Sequence, residues 1–223
     1  MLHQMVGDLM TTAVVSVRRN TGFKDIVQHL AEHSITAVPV VDDQCRPIGV
    51  VSEADLLRKQ ESQADPGGHL PTAQLLPVER AKAHALTAEG LMTSPAVTAR
   101  PQWSVVEAAR AMALHHVKRL PVVDDVGRLV GIVSRGDLLH VFLRRDPAIR
   151  EEITTDVLTR TLGLAPGAVT VQVTDGRVTL SGTVPQDSLI PIALRLSESV
   201  DGVVDVTSHL RTEPDDPAGT PRQ

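Results

Sequence analysis

Residues 38–57, VPVVDDQCRPIGVVSEADLL, and residues 120–139, LPVVDDVGRLVGIVSRGDLL, repeat one pattern. Their offset, 120 minus 38, is 82, and it holds without a gap from 9–57 against 91–139. LMTTAVVSVR at the start of the first copy faces LMTSPAVTAR in the second. Agreement over that length is not a product of composition. The period is too long for a solenoid, so the chain carries two copies of one small unit.

Each copy reads as β-α-β-β-α. A β-rich run (Val14 to Val17; Ala96 to Ala99) comes first. An amphipathic helix follows, with Phe23, Ile26, Val27 and Leu30 on one face, or Val105, Ala108, Ala109 and Met112 in the second copy. Ser104 and Glu107 have the capping-box spacing at its start; Gly22 and Asp25 are a weaker version. A strand (Ala37 to Val41; Arg119 to Val123), a turn rich in Asp, Gly and Pro, and a second strand (Ile48 to Val51; Val130 to Val133) come next. The last helix starts at Ser52 or Ser134 and, in the second copy, runs on to Asp146-Pro147. Between the copies, 60–86 is Pro- and Gly-rich, and its part from Val78 to Leu86 can form a helix.

A third segment does not match the repeat. It reads as a helix (Ile149 to Leu162), a strand alternating at Val169, Val171 and Val173, and a tight turn at Asp175-Gly176. A second strand through Val178 and Leu180, a helix (Ser188 to Val200) and a strand (Val203 to Leu210) complete it. The polar, Pro-rich end reads as a disordered tail.

The two copies resemble CBS domains, and as a tandem pair they resemble a Bateman module. The residues that carry this are Val38 to Asp42 and Leu120 to Asp124, with Gly49-Val50-Val51-Ser52-Glu53-Ala54-Asp55 and Gly131-Ile132-Val133-Ser134-Arg135-Gly136-Asp137. The third segment resembles a BON domain, on VTVQVTDGRVTLSGTVPQ and SVDGVVDVTSHL with Gly182 and Gly202. The fold expected is α+β: two tandem CBS repeats forming one pseudo-symmetric module, plus a small α+β BON domain. The divisions are 1–59 for repeat 1, 60–86 for the linker, 87–145 for repeat 2, 146–212 for the BON domain and 213–223 for the tail.

Ser52 and Asp55 have the spacing of a helix N-cap, as do Ser134 and Asp137. A helix start also suits a phosphate, and a nearby carboxylate can accept from ribose hydroxyls. The motif alone leaves cap and ligand site both open, with the cap the commoner outcome. The resemblance implies the ligand site: nucleotide-binding CBS modules use this Ser/Thr and Asp. It also implies two clefts, each joining one repeat to the other. The first would combine Ser52 and Asp55 with Ala96, Val97, Val117, Lys118 and Arg119; the second Ser134 and Asp137 with Val14, Val15, Ile35, Thr36 and Ala37. Because Lys118 and Arg119 can meet a phosphate, the first cleft is expected to hold the phosphorylated ligand. The second is expected to be empty or to take a less charged adenosine derivative.

No catalytic constellation is legible. There is no Walker or G-x-G-x-x-G run, and neither serine sits in a G-x-S-x-G elbow. His29 and His33 share a helix face without an evident third ligand, so no metal is expected. No cofactor is required; the regulatory ligand is an adenine nucleotide (AMP, ADP or ATP) or a related adenosyl compound. The chain has one cysteine, no tyrosine and a formal net charge of −5. A lone thiol fits a reducing compartment. An acidic chain with few aromatics argues against nucleic acid. With no signal-like start and no long apolar run, a cytoplasmic protein is expected.

The function expected is a non-catalytic sensor that homodimerises through its CBS pair, as such pairs do, with the BON domain as an interaction module for an unknown protein partner. The alternatives are a dimerisation scaffold and a stress factor that meets phospholipid through the BON domain. Between Ala148 and Thr212 the acids outnumber the bases, the wrong sign for anionic lipid.

Overall fold

The computed structural model describes residues 4–67 and 76–212. The tail read as disordered, and 68–75 of the linker, lie outside the described residues. The described residues form two compact units, Met5–Leu138 and 139–212, the latter with Gln4. Both mix helix and strand, as expected.

In the first unit each repeat is built on a β-hairpin: β2 (Ala37–Val41) with β3 (Pro47–Ser52), and β4 (Arg119–Val123) with β5 (Leu129–Ser134). All five residues of β2 are buried, which explains why its sequence is a continuous apolar run and not an alternation. The turns close in the same way. The Oδ1 of Asp42 accepts from the amides of Gln44 (2.9 Å) and Arg46 (2.8 Å), and that of Asp124 from Val126 (3.1 Å) and Arg128 (2.8 Å). Helices α2 (Phe23–Glu32) and α6 (Val105–Leu114) cover one side, burying Ile26 and Leu30 or Ala108 and Met112.

The leading β-run is shorter than expected. In repeat 1 only Val17–Arg18 (β1) pairs, parallel to β2; in repeat 2 the equivalent is a single bridge, Ala99 to Val122. Residues 14–15 are half-buried and unpaired in the sheet, free to line a cavity.

Two short helices were not anticipated: α1 (Val6–Leu9) and α5 (Ala88–Leu91). They cross between repeats. Val6 is fully buried in the core of Met112, Leu120 and Val133, while Ala88 and Leu91 are fully buried among Ile26, Val38 and Val51. A fully buried Val or Leu side chain such as Val6 or Leu91 contributes about 1.5–3 kcal/mol. The threonine after each helix then bridges to the other hairpin: Thr11 exchanges both backbone bonds with Ile132 (3.0 Å each), and Thr93 with Val50 (2.9 and 3.1 Å). The repeats are therefore interlocked. Gly49 and Gly131 permit this approach. A Cβ on Gly49 would lie 2.5 Å from Met92 Sδ, and one on Gly131 2.4 Å from Met10 Sδ.

After β3 comes α3 (Glu53–Glu61), and the linker supplies α4 (Pro77–His84), close to its predicted place. After β5, α7 (Arg135–Leu139) gives way to a 3-10 turn at His140–Leu143; the long helix expected there does not form.

In the second unit α8 (Asp146–Glu152) starts at the Asp-Pro pair and runs into a π-helix, Ile153–Thr161. Pro147 sits in the first turn, where its missing N–H costs nothing. Strands β6 (Val169–Thr174) and β7 (Arg177–Val184) form a hairpin, and β8 (Asp205–Thr212) adds in parallel to β7 after α9 (Leu189–Glu198). Asp146 fixes the hairpin turn by accepting from the amides of Asp175 (2.8 Å) and Gly176 (2.9 Å). Gly176 has a φ of 73° and lies against Gly202 O, so only glycine fits there. The core joins Ile149, Ile153 and Val157 to Val169, Leu180, Val184 and Ala193.

Candidate nucleotide clefts

Ser52 and Ser134 are N-caps at the ends of β3 and β5, as the sequence indicates. Asp55 Oδ2 accepts from Ser52 N (2.9 Å) and Oγ (2.7 Å). Asp137 Oδ2 accepts from Ser134 N (2.7 Å) and Oγ (2.8 Å). In each case the cap uses one carboxylate oxygen and leaves the other, Oδ1, for something else.

What meets Oδ1 differs. A cavity of about 180 Å3 opens beside Asp137, lined by Thr11, Ala13, Val14, Val15, Ile35, Ala37, Arg119, Ile132, Ser134 and Asp137. Five of the residues expected to join Ser134 and Asp137 were Val14, Val15, Ile35, Thr36 and Ala37; four of them line it. Thr36 is exposed and accepts a hydrogen bond at Oγ1 from the guanidinium of Arg119. Among the described residues no side chain is hydrogen-bonded to Asp137 Oδ1.

Arg119 is the correction. It was expected to serve Asp55, yet it lines the cavity of Asp137, and that cavity does not include Asp55. Arg119 opens β4 where Ala37 opens β2, at equivalent places of the two repeats. A side chain that long reaches either cleft from there, and the Thr36 hydroxyl gives it a partner on the second side. Arg119 therefore shares a cavity with Asp137 and does not by itself set the first cleft above the second.

At Asp55 the Oδ1 oxygen is already taken. Lys82 of α4 reaches Asp55 Oδ1 at 2.6 Å and donates to Thr93 Oγ1 at 2.8 Å. The side chains of Lys82 and Asp55 keep only 17% and 13% of their exposure, so this is a largely desolvated ion pair. Of the other residues assigned to this cleft, Val97 and Val117 pack on the second core, Ala96 N donates to Ile48 O (3.3 Å), and Lys118 is exposed. Lys82 was missed because nothing in its sequence surroundings sets it apart from a solvated helix lysine.

A larger hollow, about 540 Å3, lies at the hairpin turns among Asp43, Gln44, Arg46, Val126 and Arg128. It contains none of the expected site residues and is a wide surface depression. Two acids are held below their ordinary range. Backbone donation from Arg46 lowers Asp42, and backbone donation from the N-cap Ser104 lowers Glu107 in the first turn of α6. On α2, Glu32 joins His29 and His33 as a third group within 4.8 Å, a neighbour the sequence reading overlooked. Glu32 and His33 are exposed, and Glu32 is already bonded to Gln28 (2.6 Å).

This arrangement, two interlocked β-hairpin repeats with capped S-x-x-D helices around paired clefts, defines a CBS pair. The CBS domain model matches 6–62 and 88–144, together just over half the chain, and the BON domain model matches 145–214. The chain belongs to the CBS-domain family and carries a C-terminal BON domain. It is 30% identical over 148 residues to protein MK0525 of Methanopyrus kandleri, covering 66% of this chain and 67% of that protein. It is 32% identical over 151 residues to the chloroplastic CBS domain-containing protein CBSX2 of Arabidopsis thaliana, covering 62% of this chain and 63% of that one. The crystal structure of CBSX2 in complex with AMP superposes with a TM-score of 0.54 at 33% identity, covering 62% of this chain and 96% of that chain. The CBS pair of protein MJ0100, solved with 5′-methylthioadenosine and S-adenosylmethionine, has a TM-score of 0.51 at 23% identity, covering 63% of this chain and 97% of that chain; it is like this one in fold. No helix among the described residues is long and apolar enough to cross a membrane.

Proposed function

We propose that this chain is a regulatory, non-catalytic sensor that binds an adenine nucleotide in the cleft of Ser134 and Asp137. The observation that carries the reading is the cavity beside a carboxylate with one oxygen uncommitted. A ribose presents two adjacent hydroxyl donors, and Asp137 Oδ1 is the acceptor available for them. Apolar Val14, Val15, Ile35 and Ile132 suit the faces of an adenine, and Arg119 supplies the charge for a phosphate. The AMP complex of CBSX2 supports the ligand class. The cavity falls below the roughly 300 Å3 at which small-molecule pockets begin. Arg119, now turned to Thr36, swings out on binding, which enlarges the cleft and delivers the guanidinium to the phosphate.

A thermal-shift series with AMP, ADP, ATP and S-adenosylmethionine tests this. A ligand at a hundred times its Kd stabilises the folded state by about 2.7 kcal/mol, a rise of several degrees. At least one adenine ligand should produce it. Asp137→Ala should abolish the rise, and Arg119→Ala should weaken the phosphorylated ligands more than an uncharged adenosine. No rise with any of them, or a rise lost in Asp55→Ala but kept in Asp137→Ala, overturns the reading.

The proposal includes a homodimer formed by the CBS pair. Val27, Leu57, Val106 and Leu114 are exposed on its helices, apolar surface that a second copy would cover. The BON domain we assign to interaction with a protein partner in preference to phospholipid, on its net negative charge.

A further inference from the structure

The two S-x-x-D carboxylates are equivalent by sequence, yet one of them already holds a cation from the chain itself. Three ties fix α4 to α3. Lys82 Nζ lies 2.6 Å from Asp55 Oδ1, Arg58 Nη2 lies 2.9 Å from Glu79 Oε1, and Lys59 Nζ donates to the Ala83 carbonyl at 3.0 Å. Ala83, between these contacts, is buried. Thr93 completes the arrangement. It stands where Thr11 stands in the other cleft, and its hydroxyl meets both Lys82 Nζ (2.8 Å) and Asp55 Oδ1 (3.4 Å). With Oδ2 given to the Ser52 cap and Oδ1 to Lys82 and Thr93, Asp55 has no oxygen left for a ribose.

We propose that Lys82 is an internal occupant of the first cleft, so that the chain takes up one nucleotide, at Asp137, and that α4 is a strap whose release opens a second site. This rests on the reading of Asp137 as a nucleotide carboxylate and adds to it the regulation of its twin. For a nucleotide to enter beside Asp55, its ribose must displace an ammonium from a desolvated carboxylate and detach α4 from α3. The second cleft imposes neither step. The inter-repeat segment thereby makes two sites of equal motif unequal in affinity.

The experiment is isothermal titration of the full chain with AMP, with the strongest adenine ligand of the thermal series run in parallel. The unmodified chain should bind one per chain. Lys82→Ala and Lys82→Met, the second keeping the packed aliphatic stem, should each bind two. Adding Asp55→Asn to either should return the count to one. Two sites in the unmodified chain, or one in both Lys82 variants, overturns the proposal. So does loss of the single site in the Lys82 variants, which would make Lys82 a ligand of the nucleotide. If unmodified chain and variants alike bind none of these ligands, the nucleotide reading itself fails, and the strap with it.

Discussion

Asp55 and Asp137 stand at equivalent positions of the two repeats, make the same cap with the preceding serine, and keep different company. One faces a cavity with an arginine across it; the other is bonded to a lysine from the segment that joins the repeats. The repeat supplies two copies of one S-x-x-D motif, and the non-repeated linker gives them different surroundings. A motif therefore specifies a carboxylate at a helix start, while the neighbours decide whether it binds a ligand or another part of the chain.

The largest effect expected from this difference is on stability without ligand. Asp55→Ala and Asp137→Ala each remove a cap, a loss of about 1 kcal/mol. Asp55→Ala also leaves Lys82 largely buried beside Thr93 without its anion, a further cost of about 1–3 kcal/mol. Urea unfolding of the unliganded protein should therefore place Asp55→Ala below Asp137→Ala by that margin. The ligand dependence should run in reverse, lost in Asp137→Ala. If the two variants unfold alike, the ion pair contributes nothing net and the clefts are not distinguished by Lys82.

The interlocking of the repeats offers the next comparison. A methyl at Gly49 meets Met92 Sδ at 2.5 Å and the Thr93 carbonyl at 2.9 Å, and that carbonyl is held by its bond from Val50 N. At Gly131 the obstacles are all atoms of the Met10 side chain, the nearest at 2.4 Å. A methionine can rotate away and a backbone carbonyl in a bridge cannot. Gly49→Ala should cost about 1–3 kcal/mol by overpacking, and Gly131→Ala distinctly less. Equal losses in thermal melts would mean that the methionines, and not the crossing backbone, set the fit.

Much of this was legible in the sequence, for reasons that also mark where it stops. The hairpins and capped helices follow from local signals: Val-rich runs, Asp at the turns, Ser and Asp three apart. Helices α1 and α5 did not, because four residues are too few to be helical by themselves whatever their propensity; their stability comes from Val6, Ala88 and Leu91 buried in the opposite repeat. Strand β1 was overextended because apolar Val14 and Val15 look like strand whether they face a sheet partner or a cavity. Of the residues lining the Asp137 cleft, Val14, Val15, Ile35 and Ala37 could be collected from the family pattern, while Thr11, Ala13, Ile132 and the cation Arg119 were not. Nothing in HHVKRLP tells which way Arg119 turns, since that depends on a hydroxyl, Thr36, 83 residues away. Lys82 belongs to the same class: its partner is fixed by how α4 packs on α3, which no spacing within α4 encodes.

The smallest expected effect lies at the N-caps of α2 and α6, again equivalent positions that diverge. In α6, Glu107 accepts from Ser104 N at 2.7 Å, and Ser104 Oγ accepts from Glu107 N at 3.2 Å. That donation holds Glu107 below its ordinary value of 4.5. A carboxyl lowered in the folded state adds stability above its unfolded value and loses it as pH falls through the folded one. Glu107→Gln should thus lower the melting temperature slightly near neutral pH, and the gap from the unmodified protein should close in acid below the ordinary carboxyl range. In α2 the cap is Gly22, which offers no oxygen to the orphan amides, although Asp25 stands at the position of Glu107. A Cβ there would meet only Asp25, its Oδ2 at 3.2 Å, and the backbone is already extended at φ −71° and ψ 155°. Gly22→Ser should therefore complete the missing box and stabilise the first repeat by a few tenths of a kcal/mol. A loss of stability on that change would show that Asp25 cannot yield the space, and that the two repeats differ at this cap by packing and not only by the absent hydroxyl.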